Sequence, residues 1–133
     1  MESTSLRIGN IIKVFPKTDE VVLLRVKEIH KETVVGEFYK SPGFYLRATF
    51  KDLNPVEFSD DWLIKAGFKH GGELWLLEGI NTNCTIDEKI SSFSITRNNK
   101  SIKLEGVEII FLHQLQNVYS AISGDDLNIA YTG

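Results

Sequence analysis

Residues 92–104 read "SFSITRNNKSIKL". Two short runs of alternating apolar and polar residues flank the polar stretch "RNNK". Asn98-Asn99 suits a two-residue type I′ turn, whose central residues need positive φ, a conformation asparagine tolerates. That turn sets a register. Ile95 faces Ile102 and Phe93 faces Leu104 on one side; Thr96 faces Ser101 and Ser94 faces Lys103 on the other. A slip of one residue would mix the two faces, so the agreement of both predicts an antiparallel hairpin with its apolar side on a core.

Upstream, the first fifty residues have the same character. "NIIKVF" (10–15) is followed by the turn "PKTD", and Gly9-Asn10 makes a turn before it. "EVVLLRVKEI" (20–29) is rich in β-branched residues and apolar on both sides over part of its length, as a strand covered on two faces would be. "TVVGEFY" (33–39) ends at "KSPG", and "FYLRATF" (44–50) alternates cleanly, with Phe44, Leu46, Ala48 and Phe50 on one side. Turns every ten to twelve residues are the spacing of a meander or small barrel.

The pattern changes near Asp52–Pro55, a candidate boundary between an N-terminal β lobe (1–52) and a C-terminal α+β lobe (53–133) within one domain. "NPVEFSDDWLIKAGF" (54–68) carries both ends of a short helix. Ser59 is a fitting N-cap, Asp60 and Asp61 favour the positive end of the helix dipole, and Gly67 suits the left-handed position past its end. "ELWLLEG" (73–79) reads as a strand, "INTNCTIDE" (80–88) as a polar loop, and "GVEII" (106–110) as one more strand. In 111–124, "FLHQLQNVYSAISG", the residues Leu112, Leu115, Val118, Tyr119 and Ile122 form one helical face. Ser123-Gly124 ends that helix, Leu127 packs back on it, and 127–130 allow a short final strand. The expected fold is α+β: roughly seven to nine mostly antiparallel strands, as a small barrel or meander plus the hairpin, with two short helices. Its core includes Trp62, Leu63, Trp75, Leu77, Phe93, Ile95, Ile102, Leu115, Tyr119 and Ile122.

Composition bounds the function. The 133 residues, 42% hydrophobic and 25% charged, are typical of one globular domain. No stretch approaches a membrane span, and "MESTSLRIGN" lacks the charged start and apolar core of a secretion signal. The lone Cys84 allows no internal disulfide, which fits a cytoplasmic setting. The net charge of −3 argues against a general nucleic-acid binder. It is uneven: residues 1–51 hold nine Lys/Arg against six Asp/Glu, and residues 52–133 hold six against twelve. His30, His70 and His113 are scattered, so no metal site is expected. No phosphate loop or nucleophile elbow is present, and no cofactor or catalytic residue is assigned.

Two stretches remain as candidate binding surfaces. The helix at 111–124 has no Lys, Arg, Asp or Glu. His113, Gln116, Asn117 and Ser120 share one arc of it, with Gln114 further round. Side chains that both donate and accept suit partly dry surroundings. This face therefore either satisfies backbone groups of the same chain or meets another protein, where interface cores are depleted of charge. The second surface is on the N-terminal strands. Tyr45, Arg47 and Lys27 could stack bases and track phosphates, although Glu28, Glu32 and Glu37 interrupt them.

Three stretches also resemble a family of small proteins of Bacteroidetes and of their phages and prophages. They are "LRIGNII" (6–12), "DDWLIKAGF" (60–68), like the family's "(E/D)WL-K-GF" helix, and "HQLQNVYSAISGDDL" (113–127), like its closing "HQLQN-Y-A-(T/S)G--L". Ser120 departs from the bulky apolar residue usual there, and the strand-rich 33–51 is longer. The resemblance implies a bacterial or phage origin and no activity, cofactor or catalytic residue. The expected function is that of a non-enzymatic binding or accessory protein of a mobile element. It would act through contacts with a protein partner or a second copy of itself; a nucleic-acid-associated module is the alternative.

Overall fold

A strand with one apolar side needs neighbours and a second layer to bury it. This chain supplies both with two five-stranded sheets. The computed structural model describes residues 6–15, 21–79, 82–87, 92–97 and 99–129. The first sheet holds β1 (Ile11–Val14), β2 (Val22–Ile29), β3 (Thr33–Phe38), β4 (Tyr45–Thr49) and β5 (Leu53–Pro55), ordered β4-β3-β2-β1-β5. Helix α1 (Asp60–Lys65) follows. The second sheet holds β6 (Lys69–Gly71), β7 (Leu74–Gly79), β8 (Thr82–Asp87), β9 (Ser92–Arg97) and β10 (Lys100–Glu105), ordered β10-β9-β8-β7-β6. Helix α2 (Leu112–Ser123) is the last regular element among the described residues. Every strand pair is antiparallel, so the fold is α+β.

One of the two sheets is a half-barrel, and the first sheet packs around Ile12, Val14, Leu24, Val26, Val34 and Leu53. A register shift between Val26 and Glu28 marks a bulge in β2, which sharpens the local twist. The close approach of β2 and β3 also needs a glycine. A Cβ at Gly36 would sit 2.7 Å from Leu24 Cβ, so no larger residue fits without movement.

The other face of β1 and β2 looks toward the second core. Ile11 and Tyr39 join Trp62, Leu63, Trp75, Phe93, Leu112 and Leu115 there. The apolar core is therefore continuous across the change of pattern at 52–55. That segment is itself β5, an edge strand on β1 with Leu53 buried. The ends of α1 follow the sequence expectation: Ser59 is the N-cap, and Gly67 has φ 94°. Phe68 is buried, with its N–H on the Leu63 carbonyl at 3.0 Å.

The hairpin register is as expected, with Ile95 opposite Ile102, Phe93 opposite Leu104, Thr96 opposite Ser101 and Ser94 opposite Lys103. Asn99 has φ 66°. Asn98, the "PKTD" turn at 16–19 and Ala130 lie outside the described residues.

Four local expectations are corrected. Residues 82–87 form β8, not a loop, because Cys84 and Ile86 point into the core while polar Asn83, Thr85 and Asp87 alternate with them. Residues 106–110 are no strand: Gly106 turns the chain at φ 72°, and only an isolated bridge joins Glu57 to Phe111. Residues 127–129 form no strand either; Leu127 and Ile129 are simply buried on the core. Ile102, expected in the core, is 50% exposed, because β10 extends past the elements that cover β9.

Candidate functional site

Helix α2 is built from both of its ends. Before its first turn, the Gln114 side-chain oxygen accepts the N–H groups of Ile110 at 2.8 Å and Phe111 at 2.9 Å. The Leu112 N–H, which has no partner inside the helix, donates to the Val56 carbonyl at 2.8 Å. At the other end Gly124 is left-handed at φ 78°, and its N–H reaches the Ser120 carbonyl at 2.9 Å. Ser123 Oγ lies 2.6 Å from the Tyr119 carbonyl and accepts the Asp125 N–H at 3.1 Å, drawing the tail back. Leu112 and Leu115 are fully buried; Val118, Tyr119 and Ile122 pack beside them.

The uncharged polar side of α2 meets the start of β1. β5 pairs with β1 only from Ile12 to Val14, so the edge at Ile11 has lost its strand neighbour. The Gln116 side chain takes that place. Its oxygen accepts the Ile11 N–H at 2.9 Å, and its nitrogen donates to the Gly9 carbonyl at 3.0 Å. A primary amide mimics a peptide unit here, which no charged side chain could do with one group. One turn-step on, Asn117 Oδ1 accepts from Asn10 Nδ2 at 2.9 Å. Asn10 is buried, with its Oδ1 on the Arg7 N–H at 2.7 Å and its carbonyl on the Val26 N–H at 2.8 Å. The stretches "LRIGNII" and "HQLQN", more than a hundred residues apart, are thus sewn together.

His113 and Gln116 are buried. The side-chain oxygens of Gln114 and Gln116 are held by backbone N–H groups of the same chain, and Gln114 stays half-buried. The His113 ring stacks on Phe111, with centroids 6.0 Å apart and planes 13° from parallel. Its Nδ1 is buried without a hydrogen bond among the described residues, and burial lowers its pKa from the usual 6.5. Asn117 and Ser120 are half-buried and line a cleft.

That cleft, about 220 Å³, lies between the turn before β1, the middle of β2, α2 and the tail. Arg7, Arg25 and Lys27 converge on it with Asn117 and Ser120, against the single carboxylate of Asp126. Arg25 is fixed by a bond from its guanidinium to the Ile129 carbonyl, and it lies over the Tyr39 ring. Lys27 is 3.7 Å from Glu37 and partly exposed. Sequence reading missed Arg7 and Arg25, because nothing local joins them to α2.

Tyr45 and Arg47 sit apart from this cleft, on the outward side of β4. Tyr45 is 58% exposed; Glu37 separates it from Arg25 in one cross-strand row. The Arg47 guanidinium donates to Thr33 Oγ1 at 3.0 Å. Cys84 is buried, which pushes its thiol up to about 12 and keeps it protonated and unreactive at neutral pH. Among the described residues, no group of three or more His, Cys, Asp or Glu could hold a metal ion. No described helix is long and apolar enough to cross a membrane. The chain matches no protein-family model, no curated protein and no solved structure.

Proposed function

We propose that this chain is a non-enzymatic binding or accessory module that acts through protein contacts, receiving an acidic segment of its partner in the cleft beside α2. The convergence of Arg7, Arg25 and Lys27 on one recess carries this reading. Asp126 lines the recess and Glu37 stands 3.7 Å from Lys27, so three cations face two carboxylates and the recess stays positive, in a chain whose net charge is −3. Asn117 and Ser120 add neutral polar atoms that can bond a carboxylate or a peptide group. The resemblance to phage and prophage proteins gives the cellular context: the cytoplasm of a bacterium or of a phage-infected host.

Titration with a peptide of mixed Asp and Glu, followed by amide chemical shifts, tests it. Shifts should cluster at residues 7–10, 25–27 and 117–120, weaken with added salt and vanish in Arg7→Ala/Lys27→Ala. A nucleic-acid reading is favoured by one observation, the exposure of Tyr45 on the same sheet face as Arg25. Single-stranded oligonucleotides that bind at low salt, and lose binding in Tyr45→Ala/Arg47→Ala, would replace the first reading with the second. Silence of both probes at low salt would remove both.

A further inference from the structure

The recess beside α2 has four walls, and hydrogen bonds close each corner. The turn before β1 is tied to α2 through Gln116 and Asn117. It is tied to β2 by the Gly9 N–H on the Val26 carbonyl and the Val26 N–H on the Asn10 carbonyl, both at 2.8 Å. Arg25 joins β2 to the tail through the Ile129 carbonyl, and Ser123 Oγ joins the tail to α2 by accepting the Asp125 N–H. About 220 Å³ lies between them. A recess walled in this way admits the tip of a side chain or the end of a chain. A chain running through it would find no exit.

The charges of the lining separate those two occupants. Lys27 is shared with Glu37 at 3.7 Å, which leaves Arg7 and Arg25 to meet an anion. Arg25 is already oriented by the Ile129 carbonyl and the Tyr39 ring. Asp126 shares the recess, its Oδ2 lying 4.0 Å from where a Cβ on Gly9 would stand. Neither Arg7 nor Asp126 has an ion pair among the described residues. A side-chain carboxylate entering here is attracted by the arginines and repelled by Asp126, and it brings no donor of its own. A chain end does bring one. Its α-carboxylate and the N–H of the same residue are one carbon apart, so the first can meet the arginines while the second donates to Asp126. Exposed Ile8 and the buried Leu127 add an apolar margin for the last side chain.

We infer that the recess takes the free C-terminus of a partner chain that ends in an apolar residue. Arg7 and Arg25 hold the α-carboxylate, and Asp126 accepts the N–H of the last peptide bond. The inference rests on the reading of the recess as the seat of an acidic segment, and it narrows that segment to a chain end.

Amide chemical shifts of the whole chain at low salt test it, with an N-acetylated tetrapeptide of neutral residues ending in valine as the probe. Shifts are expected at residues 7–10, 25–27 and 126–127. Amidating the peptide's C-terminus should weaken binding about tenfold or more, the loss expected for one hydrogen bond to a charged group. Arg7→Gln, at an exposed position, should narrow the gap between the two forms. N-methylating the last peptide bond should weaken binding to wild type and leave binding to Asp126→Ala unchanged. A free-acid peptide that produces no shifts overturns the inference, as does one whose amide binds equally well. In either case a peptide of Asp and Glu with an amidated end decides the broader reading. If it shifts residues 7–10 and 25–27, the acidic-segment reading stands without the chain end; if it is silent, both fall. N-methylation that is harmless to wild type, or equally harmful to Asp126→Ala, also overturns the inference, because the N–H on Asp126 is what separates a chain end from a side chain.

Discussion

Helix α2 and strand β10 invert the usual rule in opposite ways. On α2 polar side chains are buried: Gln116 and His113 are each only 6% exposed. On β10 apolar side chains are open: Ile102 and Leu104 face the inner side of a sheet and still meet solvent. Periodicity says which residues share a face; it does not say whether anything covers that face. The cover comes from elements distant in sequence. Gly9–Ile11 covers α2, whereas among the described residues β9 is the one strand beside β10.

The largest way to break this comparison is at Gln116. Gln116→Leu keeps the bulk and removes both bonds, leaving the Ile11 N–H and the Gly9 carbonyl buried without partners. Two such groups cost about 2–5 kcal/mol, to be read from the urea midpoint. A loss well under 1 kcal/mol would mean that water replaces the amide. Gln114→Ala removes a bond shared by two N–H groups at a more exposed helix start, and should cost about 1 kcal/mol in the same measurement.

His113 sharpens the comparison through pH. Its folded pKa lies below the unfolded value near 6.5, because burial disfavours the charged ring. The unfolded chain therefore binds the proton first. This residue's contribution is fully favourable above about pH 6.5 and declines as pH falls below it. His113→Phe, which preserves the stack on Phe111, should flatten the fall in stability below pH 6.5. An unchanged slope would place the titration elsewhere.

The smallest effect is expected on β10. Ile102→Lys/Leu104→Lys should change the stability of the chain by no more than roughly 0.5 kcal/mol per site, as exposed positions do. A loss comparable to that of Gln116→Leu would show that the pair is core after all.

Much of this fold is legible in the sequence. The hairpin register, the caps of α1 and the end of α2 are local, and local chemistry specifies them. The misses are where tertiary context decides. "TNCTID" reads as a polar loop because half of a sheet strand faces water; only pairing with β7 and β9 shows that Cys84 and Ile86 face inward. Residues 106–110 are apolar enough for a strand, yet Gly106 turns them and they lack a ladder partner. The cleft was half visible. Lys27, Asn117 and Ser120 stood out for separate reasons, but no spacing rule connects Arg7 and Arg25 to a helix so far along the chain.

The central claim is that the uncharged face of α2 completes the edge of β1. Amide hydrogen exchange at Ile11 tests it most directly. If the Gln116 side chain holds that N–H, Ile11 exchanges as slowly as the paired amides of β1 in wild type, and far faster in Gln116→Leu while the amides of β9 keep their protection. Fast exchange at Ile11 in wild type, or protection unchanged by Gln116→Leu, would contradict it.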